Sequence, residues 1–232
     1  MADSRLDHLV VTIDGPAGSG KSTTARAVAE RLGLRHLDSG ALYRAVTFAL
    51  LEQDVPPDEW DRVSLDELRR LPLQIHPADS GFQVSYDGRI LGPELRDEGV
   101  TGHVSTVAAL PAVRERLLDL QRTAARDGGL VADGRDMGTV VFPEADVKIF
   151  LTADLEERAR RRVRERVEGE PDDDEVESEV ERIARRDRRD TERKLSPLKR
   201  PAGAVVVDTT GATFEEQVEA VVDRVKRAAG RP

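Results

Sequence analysis

Residues Gly15 to Ser22, GPAGSGKS, match the pattern G-x-x-x-x-G-K-[ST], and they stand where that pattern has a mechanism. A β-branched run, HLVVTID from His8 to Asp14, precedes them, and a helically spaced segment from Ser22 to Gly33 follows. Glycines leave room for backbone N–H groups to wrap a phosphate chain, and the N-terminus of the helix adds a partial positive charge. The candidate contacts to an ATP-type triphosphate are Gly15, Pro16, Ala17, Gly18, Ser19, Gly20, Lys21, Ser22 and Thr23. Lys21 can reach the outer phosphates, and the Ser22 hydroxyl can ligate Mg²⁺. A second stretch, LVADGRDMGTVVF from Leu130 to Phe142, breaks an apolar run with two glycines around an Arg-Asp pair. It reads as a charged turn at a strand end.

A P-loop alone does not name a reaction, and rival classes make distinct demands. A GTPase needs an early D-x-x-G and a guanine-reading N-K-x-D, but the D-x-x-G found is DTTG at Asp208 to Gly211, beside the last strand, and N-K-x-D is missing. In a protein kinase, GRDM would have to open a catalytic loop, yet Val141 stands where the asparagine belongs and no D-F-G follows. The length disfavours a large mechanical ATPase. A small-molecule kinase is left. An acceptor that is itself a phosphate needs arginines to hold it and no general base to deprotonate it. Taken singly, Arg44 or Arg114 reads as a surface charge on a helix. The RARRR and RRDRRD runs read as solvated faces laced with i,i+4 pairs such as Glu157/Arg161 and Arg186/Asp190. The residues alone thus indicate a kinase for a nucleoside monophosphate or similar anion.

The elements that must position these groups alternate between strand and helix. After LRHLD, a second strand, SGALYRAVTFALLEQ is a helix capped by Asp38 or Ser39. Beyond Asp54 the pattern becomes irregular: Ser64 and Glu67 have capping-box spacing, and LQIHPADSGFQVSYDGRIL suggests short strands in an insert. Pro111 opens a helix whose apolar stripe is Val113, Leu117, Leu120 and Ala124, and Gly128-Gly129 stop it. LVAD and VKIFLTA are further strands. Two charged helices then flank EGEPDDD, AVVVDTTG is a last strand, and a closing helix starts at Thr213 with Glu216 in capping-box spacing. Such alternation predicts a parallel sheet covered on both faces, with ligands at the carboxyl ends of its strands.

Composition sets the outer bounds. A chain of 232 residues with 38% hydrophobic content suits one compact domain with insertions. Cysteine is absent, which excludes a disulfide framework and fits a reducing compartment. No apolar run is long enough to span a membrane, and MADSRLDH lacks a signal-peptide pattern, so a soluble cytoplasmic protein is expected. A net charge of −9 argues against a nucleic-acid coat. Lysine is confined to Lys21, Lys148, Lys194, Lys199 and Lys226, so arginine carries nearly all positive charge. That bias suits anion recognition, and base composition or salt adaptation would produce it equally. His8, His36, His76 and His103 are scattered singly and read as ordinary structural or surface residues.

TIDGPAGSGKST, LDSGALYR, ADGRDMGTVVFP with VKIFL, and RRDRRDTERKLSPL occur in this order, and together they resemble the bacterial cytidylate kinase family over nearly the whole chain. The resemblance implies an α/β P-loop NTPase sandwich of three layers, residues 1–232, with a central parallel sheet of about five strands. It further implies an acceptor-binding region at 39–106 and a lid at 161–185. The implied reaction is ATP-dependent, Mg²⁺-assisted phosphorylation of CMP or dCMP by a cytoplasmic monomer that engages neither nucleic acid nor membrane. Ser39 and Arg44 match an acceptor-binding serine and a phosphate-binding arginine. Ser105, Arg114 and Asp136 match positions that touch cytosine, Arg135 and Arg193 phosphate contacts, and Arg186 and Asp190 sugar contacts. Asp133 matches a carboxylate near the reacting phosphates and Mg²⁺. Kinases of the same fold for UMP, AMP or shikimate, and a nucleotide-gated binding module, are the competing readings.

Overall fold

The apolar runs pair in the register their burial demands. The computed structural model describes residues 8–78, 81–126, 128–167 and 169–230. Strands β1 (Val10–Asp14), β2 (Arg35–Asp38), β6 (Leu130–Gly134), β7 (Val147–Thr152) and β8 (Val205–Asp208) form a parallel core in the order β2-β6-β1-β7-β8. Helices cover both faces, which is why β1 and β6 are buried along nearly their whole length. On β6 the faces alternate with period two: Leu130 and Ala132 pack toward α2 (Ser39–Glu52), α4 (Glu98–Val107) and α5 (Pro111–Ala124). Val131 packs instead with α1 (Lys21–Leu32) and α8 (Phe214–Ala228).

The expected five strands describe only this parallel core. Among the described residues the sheet has eight strands, because the insert adds β3 (Leu73–Ala78), β4 (Gly81–Tyr86) and β5 (Arg89–Ile90). β3 and β5 pair antiparallel with β4, which joins β2 in parallel through His36 and Gly81. The insert, with α3 (Leu65–Arg70), is therefore an extension of the central sheet and shares its core. Asp79 and Ser80, at the turn suggested within it, lie outside the described residues. Residues 161–185, expected to form a lid, span the second half of α6 (Leu155–Arg164) and the first part of α7 (Asp173–Glu192), with Glu168 outside the described residues; the two helices pack as a hairpin over a small core of Ala159, Val163, Val176 and Ile183.

Local signals set several element ends. Asp38 accepts the Ala41 N–H at 3.0 Å and caps α2, while Ser64/Glu67 and Thr213/Glu216 form full capping boxes. α5 departs from its expected stripe: Val113, Leu117 and Ala124 are buried as read, but Arg114 and Gln121 share that face. Both carry polar groups into the interior because partners wait there.

Parallel register brings the carboxyl ends of three strands level. Asp38 on β2 lies opposite Asp133 on β6, and Asp14 on β1 lies opposite Gly134. Asp14 is fully buried and accepts the backbone N–H groups of Met137 and Gly138, each at 2.8 Å. Burial pushes its carboxyl up to about 7 despite both bonds. Asp14→Ala leaves two buried donors without an acceptor and is expected to lower stability by about 2–4 kcal/mol in urea denaturation.

Candidate active site

The P-loop joins β1 to α1 and is shaped by its own backbone. Gly20, at φ 79°, begins α1 in the left-handed region, and no side chain caps the helix. No acidic residue occupies its first turn either, so its amide N–H groups and dipole are available to an anion. Lys21 is buried and donates from Nζ to the Pro16 carbonyl at 3.0 Å. Desolvation, followed by the charge of Arg135, pushes its ammonium well below the ordinary lysine range, and Asp133 opposes the shift. Phosphates in the loop would oppose that shift.

Next to Lys21, Ser22 Oγ donates to Asp133 Oδ2 at 2.5 Å. These are two hard oxygen donors side by side, the chemistry Mg²⁺ selects, so the pair fits the metal role read from the sequence. The other oxygen, Oδ1, is 2.8 Å from His36 Nε2. His36 is buried, so its role is more particular than that of an ordinary structural histidine: it orients the carboxylate.

Beside the turn that follows β6 lies a cavity with Arg114 in its wall. After β6, residues Met137–Val141 make one turn of π-helix, closed by the Phe142 N–H donating to the Met137 carbonyl at 2.7 Å. The two glycines noted in the sequence allow this close packing. A Cβ at Gly138 would lie 2.8 Å from Thr12 Oγ1, and one at Gly134 would lie 3.0 Å from the Met137 side chain. The turn presents Arg135 and Asp136 on the same side as Arg114. Arg114 is ion-paired with Asp136 Oδ2, donates from Nη1 to the Ala108 carbonyl at 2.8 Å and from Nε to Ser196 Oγ at 3.1 Å, and lies over the Tyr43 ring. A cavity of about 140 Å³ is lined here by Tyr43, Arg114, Gln121, Asp136 and Ser196. Ser39 is buried, and its Oγ accepts from Gln121 Nε2 at 2.9 Å.

α7 meets the turn through Asp190. The sequence suggested an Arg186/Asp190 pair along the helix, but Asp190 bonds elsewhere: Oδ2 accepts from Arg135 Nε at 2.9 Å and Oδ1 from Ser105 Oγ at 3.4 Å. Long-range geometry wins because the Asp190 carboxylate points inward, away from the solvated face; the Glu157/Arg161 pair on α6 does form, at 2.9 Å. Burial pushes Asp190 up, but Arg135 and Arg186 together with Arg193 outweigh it and hold the carboxyl below its ordinary value. Arg193 donates from Nε to the Ser196 carbonyl at 2.7 Å, and its Nη2 lies 4.0 Å from Asp136 Oδ1. Arg44, also partly buried, donates to the Leu95 carbonyl and to Thr101 Oγ1. Arg44 and Arg114 are thus both inward, not surface charges.

These cations crowd one another. Burial, then Arg135 and Arg44, push Arg186 down to about 9; burial, then Arg162, push Arg44 down to about 10. Among the described residues, Arg186 Nε and Arg193 Nη2 are buried and have no hydrogen-bond partner. Unpaired guanidinium groups under mutual repulsion make an anion site. Arg162, on α6, adds its positive charge to the field at Lys21, Arg44 and Arg186, while its own guanidinium pairs with Glu165 at 3.1 Å.

A phosphate-chain cradle facing a second, arginine-lined anion site across the end of a parallel sheet is the arrangement of a phosphotransferase with two anionic substrates. Comparison with known proteins narrows the class. Residues 11–227 match the family model described as cytidylate kinase. A cytidylate kinase of Streptococcus suis strain 05ZYH33 is 43% identical over 227 residues, covering 97% of this chain and all of its own. Those of Geobacillus sp. strain WCH70 and Acholeplasma laidlawii strain PG-8A are 41% and 40% identical, over 97% and 95% of this chain and 99% and 96% of their own. The chain belongs to the cytidylate kinase family. The fold is also similar to a crystal structure of an uncharacterized protein from Eubacterium ventriosum, with a TM-score of 0.50 and 11% identity over 94% of this chain and 98% of that one.

Because Arg186 is repelled by its neighbours without a ligand, an Arg186→Leu variant is expected to be at least as stable as the parent in anion-free buffer. Sulfate should raise the melting temperature of the parent, and raise that of the variant by less than about half as much, since stabilisation follows anion affinity.

Proposed function

We propose that this chain transfers the γ-phosphate of ATP to CMP, and to dCMP, in a direct in-line reaction. The observation that carries the acceptor assignment is the division of hydrogen bonds at Asp136. One carboxylate oxygen pairs with Arg114, while Oδ1 lies 4.0 Å from Arg193 Nη2 and remains open to a donor. Cytosine offers an N4 amino donor beside N3 and O2 acceptors. Asp136 Oδ1 takes that amino group, and the N–H groups of Arg114 not engaged with Ala108, Asp136 and Ser196 face the acceptors, with Ser105 beside them. Uracil would set its O4 against the carboxylate.

Charge neutralisation and positioning do the rest. Lys21 and the P-loop amides hold the β- and γ-phosphates of ATP. Ser22 and Asp133 would hold Mg²⁺, which when bound neutralises charge on the phosphates. Arg44, Arg135 and Arg193 grip the acceptor phosphate, and Arg186 and Asp190 face its sugar with Ser39 nearby. The α6–α7 hairpin excludes water, which would otherwise hydrolyse ATP. No described helix is long and apolar enough to cross a membrane, and we place this activity in the cytoplasm, in a monomer.

Coupled ATP-consumption assays over CMP, dCMP, UMP, AMP and shikimate should show turnover dominated by the cytidine nucleotides; preference for any other acceptor overturns the assignment. In Asp136→Ala, kcat/KM for CMP should fall about 5- to 100-fold further than that for UMP, the cost of leaving the amino group and Arg114 without their acceptor. Equal losses for both bases would remove Asp136 from base reading. Lys21→Ala should lower kcat by at least about 10²-fold while circular dichroism reports an intact fold.

A further inference from the structure

The tip of the P-loop is held by the lid hairpin through Asp187, which bonds the loop backbone from behind its apolar contact with α6 and α7. Asp187 lies on α7 between Arg186 and Asp190, but its carboxylate turns the other way. Oδ1 accepts the backbone N–H of Ala17 at 2.8 Å, and Oδ2 accepts from Arg158 Nη1 at 2.6 Å. The same Arg158 Nη1 donates to the Ala17 carbonyl at 2.8 Å, and its Nε donates to the Ala153 carbonyl at 3.0 Å. Both main-chain polar groups of Ala17 are therefore occupied by side chains of α6 and α7. Arg158 is buried, so these bonds are shielded from water.

Packing reinforces the tie. The Ala17 methyl group belongs to the apolar core of the hairpin with Ala159, Val163, Val176 and Ile183. Gly18, at φ 74°, follows directly, and a Cβ there would meet the Cβ and carbonyl of Arg158 at 3.2 Å and Ile183 at 3.4 Å. A glycine-rich loop left to itself has much conformational freedom to lose on binding a phosphate chain. Clamped at Ala17 and wedged at Gly18, this one is ordered in advance.

We propose that Asp187 is a positioning residue that holds the P-loop in its triphosphate-binding shape by clamping Ala17 to the lid hairpin. It acts through the loop, so its effect falls on ATP and spares the acceptor, although its helix neighbours Arg186 and Asp190 face the acceptor site. The inference rests on the functional reading only in taking ATP as the ligand of the loop.

The test compares Asp187→Ala and Asp187→Asn with the parent by steady-state kinetics and by equilibrium binding of a fluorescent ATP analogue without acceptor. Asp187→Ala should raise KM for ATP and Kd for the analogue about tenfold while KM for CMP stays within about twofold, the loss of one charged acceptor shared by a buried amide and a guanidinium. Asp187→Asn keeps an oxygen for the Ala17 N–H but loses the charge facing Arg158, and should fall between the two. Should the alanine variant fail to fold, the asparagine variant carries the same comparison. Parallel changes in both KM values, a change confined to CMP, or unchanged analogue binding would each overturn the role. A parent protein that binds no ATP would overturn the functional reading as well, whereas parental binding with unaffected variants would overturn the role of Asp187 alone.

Discussion

Three carboxylates at the ends of adjacent parallel strands organise this protein. The register of β2, β6 and β1 brings Asp38, Asp133 and Asp14 to one edge of a sheet covered on both faces. There a carboxylate without donors would be severely destabilising. Each finds its donors in a different element. Asp38 takes the first turn of α2, Asp133 takes Ser22 of the P-loop and His36, and Asp14 takes the π-turn that carries Arg135 and Asp136 beside it. Satisfying the strand ends is therefore the same event as assembling the site.

From this edge the charges divide the labour. In the proposed reaction the donor phosphate chain would meet backbone amides and one lysine, groups that suit a chain lying along a loop. On the proposed acceptor side the guanidinium groups of Arg44, Arg135 and Arg193 are fixed by a carbonyl, a hydroxyl or a carboxylate, whereas Arg186 Nε has no partner.

Legibility in the sequence followed the range of the interaction. Where a feature is written in neighbouring residues, as in the P-loop, the Asp38 cap, the two capping boxes and the apolar periods of the parallel strands, spacing was enough to find it. Where the partner lies far along the chain, spacing was silent or misled. Arg186 and Asp190 stand one helical turn apart and looked like a surface pair, yet Asp190 bonds Arg135 across 55 residues. Arg114 resembled any helix charge until Ala108, Asp136 and Ser196 were seen around it. Asp14, His36 and Asp187 gave no local signal: the partners of the first two are more than 90 residues away, and those of Asp187, Arg158 and Ala17, are 29 and 170 residues away. The addition of β3 to β5 to the sheet was hidden for the same reason, resting on a parallel contact between His36 and Gly81.

The crowded arginines also bear on how the protein persists in a cell. A site whose guanidinium groups repel one another until an anion arrives is held together in part by its own substrate, which acts as a counterion that is consumed and replaced. Mass action then links the fraction of molecules open to proteases to the size of the nucleotide pool. Depletion of that pool would deprive the enzyme of work and shorten its lifetime together, with no dedicated regulatory element.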